Sequence, residues 1–216
     1  MSDLLTFDCY GTLIDTSAFW EEIGKIAIES GINKILLVNT YGNFEERLMY
    51  GEGLFTVYSD IIYKALQYCE MELSVGNLTD QYERLIKVHK ELSPFPEVID
   101  TLKVLKSKGY QTSIMSNSDW NIMRYNLASL EHDFDAIYLA EDLHAYKPQI
   151  SFFEQVQDKL SSNRHVHIAA GFWWDMVPAQ RMNWRRIWVN RQSKKGLQNC
   201  MPYGEVKKLN EVLNYL

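Results

Sequence analysis

Apolar residues along this chain follow two rhythms. Leu4, Leu5 and Phe7 form a short run with the length and bulk of a buried strand, ending at a carboxylate, Asp8. From Ser17 to about Lys90 the spacing becomes helical. Phe19, Ile23, Ile26 and Ala27 make one amphipathic stretch, with Gly31 as its stop. Phe44, Leu48 and Met49 make a second, broken by Gly51 and Gly53, and Phe55, Tyr58, Ile61, Ile62, Ala65 and Leu66 a third. Leu85, Ile86 and Val88 belong to a fourth, for which Thr79 is the candidate cap. Ser93-Pro94-Phe95-Pro96 then resists helix and reads as a hinge, after which residues 98–108 form a helix ended by Gly109.

Beyond the hinge, strand and helix alternate. Strands are predicted over 112–115, 136–139, 165–170 and 187–189, and helices over about 149–160 and 175–181, with a closing helix over 205–216. The expected fold class is α/β: a Rossmann-like, doubly wound parallel sheet with an inserted all-helical cap. Residues 1–15 and 92–216 form the core domain in this reading, and residues 16–91 the cap.

Composition narrows the function classes. The chain has 216 residues, 46% hydrophobic and 23% charged, which is ordinary for a globular protein. A net charge of -6 argues against a nucleic-acid surface. No apolar run approaches membrane-spanning length, and the N-terminus shows no secretory signal. Cys9, Cys69 and Cys200 are few and widely spaced, as expected of free thiols in a cytoplasmic protein. The aromatic residues Tyr50, Phe55, Tyr58 and Tyr63 in the cap are a candidate homodimer surface.

Polar residues recur where successive strands end. These are Asp8, then Ser116-Asn117, then Lys147, then Asp175. Parallel strands bring their carboxyl ends to one edge, so four turns distant in sequence are expected to converge on one cleft. Gly11 permits a sharp turn after Asp8, Thr12 follows with a hydroxyl, and Asp15 is expected to hold the turn. His89, His132, His144, His165 and His167 lack metal-ligand spacing and read as structural histidines.

This ordered set resembles the haloacid dehalogenase superfamily. The first motif is Phe7-Asp8-Cys9-Tyr10-Gly11-Thr12-Leu13-Ile14-Asp15, the second Ser116-Asn117, the third Tyr146-Lys147-Pro148, and the fourth runs from His167 to Asp175. The superfamily contains phosphatases and carbon–halogen hydrolases. Its phosphatases carry a second acid two residues after the nucleophile, where this chain has Tyr10. A phenol with a pKa near ~10 is a poor proton donor to an alkoxide, whereas halide leaves without a proton. Gly171 stands where the first fourth-motif acid of the phosphatases lies, so no metal cofactor is expected; Mg²⁺, if used, would be held by Asp8, the Tyr10 carbonyl and Asp175.

The chain looks most like the type II (S)-2-haloacid dehalogenases and their azetidine-2-carboxylate hydrolase-like relatives. That resemblance implies a small 2-substituted carboxylic acid as substrate. Asp8 is the nucleophile and forms an ester, Lys147 compensates the carboxylates, and Asp175 positions Lys147 or the hydrolytic water. Ser116 and Thr12 would bind the substrate carboxylate or orient Asp8, and Asn117 would solvate the departing halide. Tyr10, Arg47, Phe172, Trp173 and Trp174 are the expected substrate-binding side chains, with Arg47 as the cap arginine for halide and the aromatic residues as a dry wall. Ala170, Phe172 and Phe153 differ from the polar residues of that branch. The alternatives are a Mg²⁺-dependent phosphatase and a catalytically weak binding protein.

Overall fold

The computed structural model describes residues 3–51, 54–160 and 164–216, so Gly53, the second expected helix breaker, lies outside the described residues. Strand β1 (Leu4–Asp8) is buried at every position, because the sheet is covered on both faces. The other strands are β2 (Gln111–Ser116), β3 (Ala136–Leu139), β4 (His165–Ala169), β5 (Arg185–Val189) and β6 (Gly204–Val206). All pair in parallel, in the order β3-β2-β1-β4-β5-β6. The chain winds from β1 to one side and later returns to the other. Asp8 therefore ends the strand at the switch point, where adjacent loops diverge and leave a crevice.

Four helices separate β1 from the rest: α1 (Ser17–Glu29), α2 (Lys34–Tyr50), α3 (Tyr58–Leu73) and α4 (Tyr82–Lys90). They are followed by α5 (Val98–Ser107), α6 (Trp120–Ser129), α7 (Ala140–Leu143), α8 (Ile150–Gln157) and α9 (Val177–Arg181). The chain enters and leaves the four-helix segment along one seam. Asp15 N–H donates to the Ser93 carbonyl at 2.9 Å, and Phe95 N–H to the Leu13 carbonyl at 2.9 Å. Arg191 braces this seam: its guanidinium lies 3.6 Å from the Phe95 ring centroid, donates to the Thr12 carbonyl at 2.7 Å and pairs with Glu97 at 2.7 Å. As expected, Gly11 takes a φ of +81° in the turn after Asp8, and Asp15 accepts from the backbone N–H and hydroxyl of Ser17.

The tail departs from expectation. Residues 205–216 do not form a closing helix. Glu205 belongs to β6, paired with Trp188, and only Leu209–Asn214 is helical, as a 3-10 turn. The buried Leu209 and Val212 sit three apart, the period of a 3-10 helix rather than of an α-helix. Thr79 does not cap α4. It lies in a 3-10 turn, and its N–H and hydroxyl donate to Glu70. The helix expected over 175–181 begins instead with a π-helical turn, Phe172–Met176, that passes into α9. Of the aromatic residues suggested for a dimer surface, Tyr58 is buried and Phe55 stacks on Tyr146, whereas Tyr50, stacked on Trp174, and Tyr63 are exposed. No helix among the described residues is long and apolar enough to cross a membrane, and Cys9, Cys69 and Cys200 are buried free thiols.

Asn126 on α6 joins the helical segment to the site. It is fully buried, accepts from the Tyr10 hydroxyl at 2.7 Å, and donates to the His89 and Lys90 carbonyls at 3.0 and 3.3 Å. Those carbonyls end α4 and have no intrahelical partner. Asn126→Ala is expected to strand them and the Tyr10 hydroxyl, costing about 3 kcal/mol. Thermal denaturation should show a Tm lowered by roughly 6–12 °C; a shift inside experimental error would mean that this joint carries no stability.

Candidate active site

A cavity of about 220 Å³ opens at the carboxyl edge of β1 and β4, between the sheet and α1 to α4. Asp8, Lys147 and Asp175 form its floor. The Lys147 ammonium donates to Asp8 Oδ1 and to Asp175 Oδ1, each at 2.7 Å, and all three side chains are nearly excluded from solvent. Two buried carboxylates and one ammonium are tolerable only because each charge is paired. For Asp175, burial pushes the carboxyl up, and the Lys147 charge and the His167 hydrogen bond reverse this and hold it low. For Lys147, burial opposes the charge, and Asp175 and Asp8 override it and hold the proton on. Asp8 is pushed upward by burial, with Lys147 opposing and Asp175 adding to the rise.

Each member is held from behind. Thr12 is buried; its hydroxyl donates to Asp8 Oδ2 at 2.6 Å and accepts from the Ala170 N–H at 2.7 Å. Thr12 thus fixes one oxygen of Asp8 in place. Asn117 clamps the loop that carries Lys147. It accepts from the Lys147 N–H at 2.7 Å and donates to the Lys147 carbonyl at 2.9 Å. Asp119 caps α6 through Ile122 N–H at 3.1 Å and also accepts from Ser59 N–H at 2.6 Å in the first turn of α3. Gly171 is required by space, since a Cβ there would come within 2.5 Å of Asp175 Oδ2. His167 is buried and satisfied, as the sequence suggested, and its partner belongs to the site. Its Nε2 lies 3.1 Å from Asp175 Oδ1 and its Nδ1 2.8 Å from the Thr6 hydroxyl.

Several expected residues lie elsewhere. Arg47 is exposed on α2, 5.5 Å from the Phe44 ring centroid, and does not line the cavity. The buried stripe of α2 runs Leu37, Tyr41, Glu45, Met49 at intervals of four, and Arg47, two residues away, points to the opposite face. Glu45 and Met49 line the cavity instead. Of the three fourth-motif aromatic residues, Trp174 alone lines it. Phe172 packs edge-on against Trp188, and the half-exposed Trp173 donates to the Tyr50 hydroxyl at 3.0 Å. The π-helical turn rotates these neighbours to different sides, so adjacency in sequence did not mean a shared wall. Ser116 is fully buried, makes no hydrogen bond through its hydroxyl and does not line the cavity. Tyr10 lines it, but its hydroxyl is committed to Asn126, and burial raises its pKa well above the ordinary phenol value.

The remaining wall was not anticipated. Phe19 and Trp20 of α1, Glu45 and Met49 of α2, Tyr58 of α3 and His89 of α4 close the cavity from the helical side. An acid at one position of an otherwise apolar i, i+4 stripe was the available signal for Glu45. A larger recess of about 470 Å³ beside β4, β5 and β6 is lined by no carboxylate or histidine.

Residues 3–181 match the haloacid dehalogenase-like hydrolase family. The chain belongs to that family and is a hydrolase. Among curated relatives it is 28% identical to (S)-2-haloacid dehalogenase 4A of Burkholderia cepacia, with 86% of this chain and 82% of the relative covered. It is 25% identical to (S)-2-haloacid dehalogenase 1 of Pseudomonas sp. (strain CBS-3), with 87% and 84% covered. The fold is shared with a solved dehalogenase, crystallised as an intermediate complex, at a TM-score of 0.85 and 23% identity over 100% of this chain and 97% of that one.

Lys147→Met would leave two buried carboxylates without their cation. Urea unfolding at pH 8 should show a loss of about 3–5 kcal/mol. With the ammonium gone, both folded-state pKa values rise above their unfolded values, so the variant gains stability as pH falls. The deficit should therefore shrink toward pH 5. A deficit independent of pH would mean that the ion triad does not set stability.

Proposed function

We propose that this haloacid dehalogenase-like hydrolase acts on small 2-halo carboxylic acids, through an ester on Asp8 and without a metal. The observation that carries the reading is the Lys147 ammonium, 2.7 Å from both carboxylates of the floor, combined with the absence of a free acid two residues after Asp8. Asp8, oriented by Thr12, attacks C2 from the side opposite the halogen. The carbon–halogen bond breaks with its electron pair going to halide, and C2 inverts. Water then attacks the Asp8 ester carbonyl, passing one proton to Asp175. The bond from the Asp8 carbonyl carbon to the 2-oxygen breaks, that oxygen takes the proton back from Asp175 and leaves as the 2-hydroxy acid, and the second water proton goes to solvent, leaving Asp8 ionised. Asp175 Oδ2 makes no hydrogen bond to any described residue, and this oxygen lies beside Gly171, where the cavity wall has no side chain. Lys147 keeps both carboxylates from repelling each other in either step. Helices α1 to α4, within residues 16–91, serve as the cap, and the cavity of about 220 Å³ falls below the roughly 300–1,000 Å³ of drug-sized sites, which suits a substrate of a few carbons.

The phosphatase alternative requires Mg²⁺ among Asp8, the Tyr10 carbonyl and Asp175, and the residues do not fit it. Lys147 occupies the space between the two carboxylates, Asp8 Oδ2 is taken by Thr12, and Gly171 supplies no oxygen side chain.

Halide release from racemic 2-chloropropionate should proceed in the presence of EDTA, and Asp8→Asn should lower it by at least ~10⁴-fold, the scale seen on removing a nucleophile. Several turnovers in ¹⁸O water should leave label in the Asp8 carboxylate. Activity on phosphate esters alone, dependent on Mg²⁺, would overturn the proposal, and an Asp8→Asn protein unchanged in every assay would leave a binding protein.

A further inference from the structure

The cap side of the cavity carries no cation among the described residues, although a departing anion has to be accommodated there. What it carries is Glu45, 8% exposed, lining the same cavity as Asp8. The Tyr58 hydroxyl donates to Glu45 Oε1 at 2.7 Å, and no Lys or Arg lies within ion-pair distance of that carboxyl among the described residues. With Oε1 occupied by Tyr58, Oε2 is the atom left for the cavity. The rest of this wall is uncharged: Phe19, Trp20, Met49 and His89, whose Nδ1 is buried and without a partner.

We propose that Glu45 acts in its neutral form as the hydrogen-bond donor to the leaving group, taking the place of a cation on the cap. The inference rests on the dehalogenase reading above. In the attack step the carbon–halogen bond breaks, the electron pair goes to the halogen, and the Oε2–H of Glu45 points at the halide as its charge develops. The proton stays on Glu45, and the halide leaves as an anion. An ionised Glu45 would face that anion with a like charge and would slow the step.

Burial raises Glu45 to about 7, with Tyr58 hydrogen bonding opposing and Glu46 adding. The other groups facing it titrate elsewhere or with the opposite sign. The Tyr41, Tyr58 and Tyr10 hydroxyls, and that of Tyr146, are pushed up by burial, and His89 is pushed down to about 4. On the floor, Lys147 is held protonated and Asp175 ionised, and ionisation of Asp8 raises the rate with pH instead of lowering it. A fall in rate near neutrality therefore reports Glu45.

The test measures halide release from 2-chloro-, 2-bromo- and 2-iodopropionate between pH 5 and 9. Wild-type turnover should fall as pH rises through about 7. Glu45→Gln should be slower than wild type at pH 6, because an amide N–H is the weaker donor, but its profile should lose that fall. Glu45→Leu, which suits the apolar stripe and keeps the helix packed, should slow chloride release by about 10- to 100-fold, the value of one hydrogen bond to a charged group. Iodide, the weaker acceptor, should be slowed less. An alkaline fall unchanged in Glu45→Gln, or an equal slowing of all three halides in Glu45→Leu, would overturn the assignment while leaving the dehalogenase reading intact. Failure of the wild-type protein to release any halide would overturn both.

Discussion

The site depends on one ammonium. Lys147 is buried between Asp8 and Asp175, and without it neither carboxylate could remain ionised at that depth. Much of the surrounding structure holds this arrangement in register. Three loops from non-adjacent parts of the chain supply the three charges, and the parallel sheet brings their ends together. Asn117 grips both backbone polar groups of Lys147, Thr12 fixes the free oxygen of Asp8 through a bond that also reaches the Ala170 N–H, and His167 bonds the Asp175 oxygen that Lys147 shares. Each clamp satisfies a polar group that would otherwise be buried alone.

The same constraint explains what was readable in the sequence. Asp8 ends β1, Asp175 follows β4 in the π-helical turn, and Lys147 lies in the loop after the short α7 that follows β3, so all three come from the carboxyl side of the parallel sheet, to which the alternation of strand and helix points. The parallel sheet and the run of helices between β1 and β2 followed from residue spacing. Short elements were harder. β6 is three residues long, and the turn Leu209–Asn214 follows a three-residue period that a search for α-helices reads as a helix.

Side-chain direction was the main loss. Arg47 was singled out by its residue type, but the buried stripe of α2 passes through Tyr41, Glu45 and Met49 and excludes it. Phe172, Trp173 and Trp174 read as one wall from their adjacency, but a π-helical turn sends them to three environments. Ser116 lies next to a residue that does face the cavity and is itself sealed in the core, with no partner for its hydroxyl. In each case the residue type matched the chemistry, and orientation decided whether the chemistry was available.

Charge is therefore divided unequally between the two sides of the cavity. The floor holds the fixed ions and carries one net negative charge when Lys147 is protonated and both carboxylates are ionised. In the dehalogenase reading proposed above, an anionic substrate entering such a space meets no spare cation among the described residues on the helical side, because Arg47 faces solvent. What favours entry is that the cap adds no further negative charge. That condition holds while Glu45 stays protonated in its apolar setting, with Tyr58 against one oxygen and His89 neutral beside it. The uncharged cap keeps the local dielectric low, which strengthens the hold of Lys147 on its partners. In the same proposed reading, recognition of the leaving group falls to hydrogen bonding and fit.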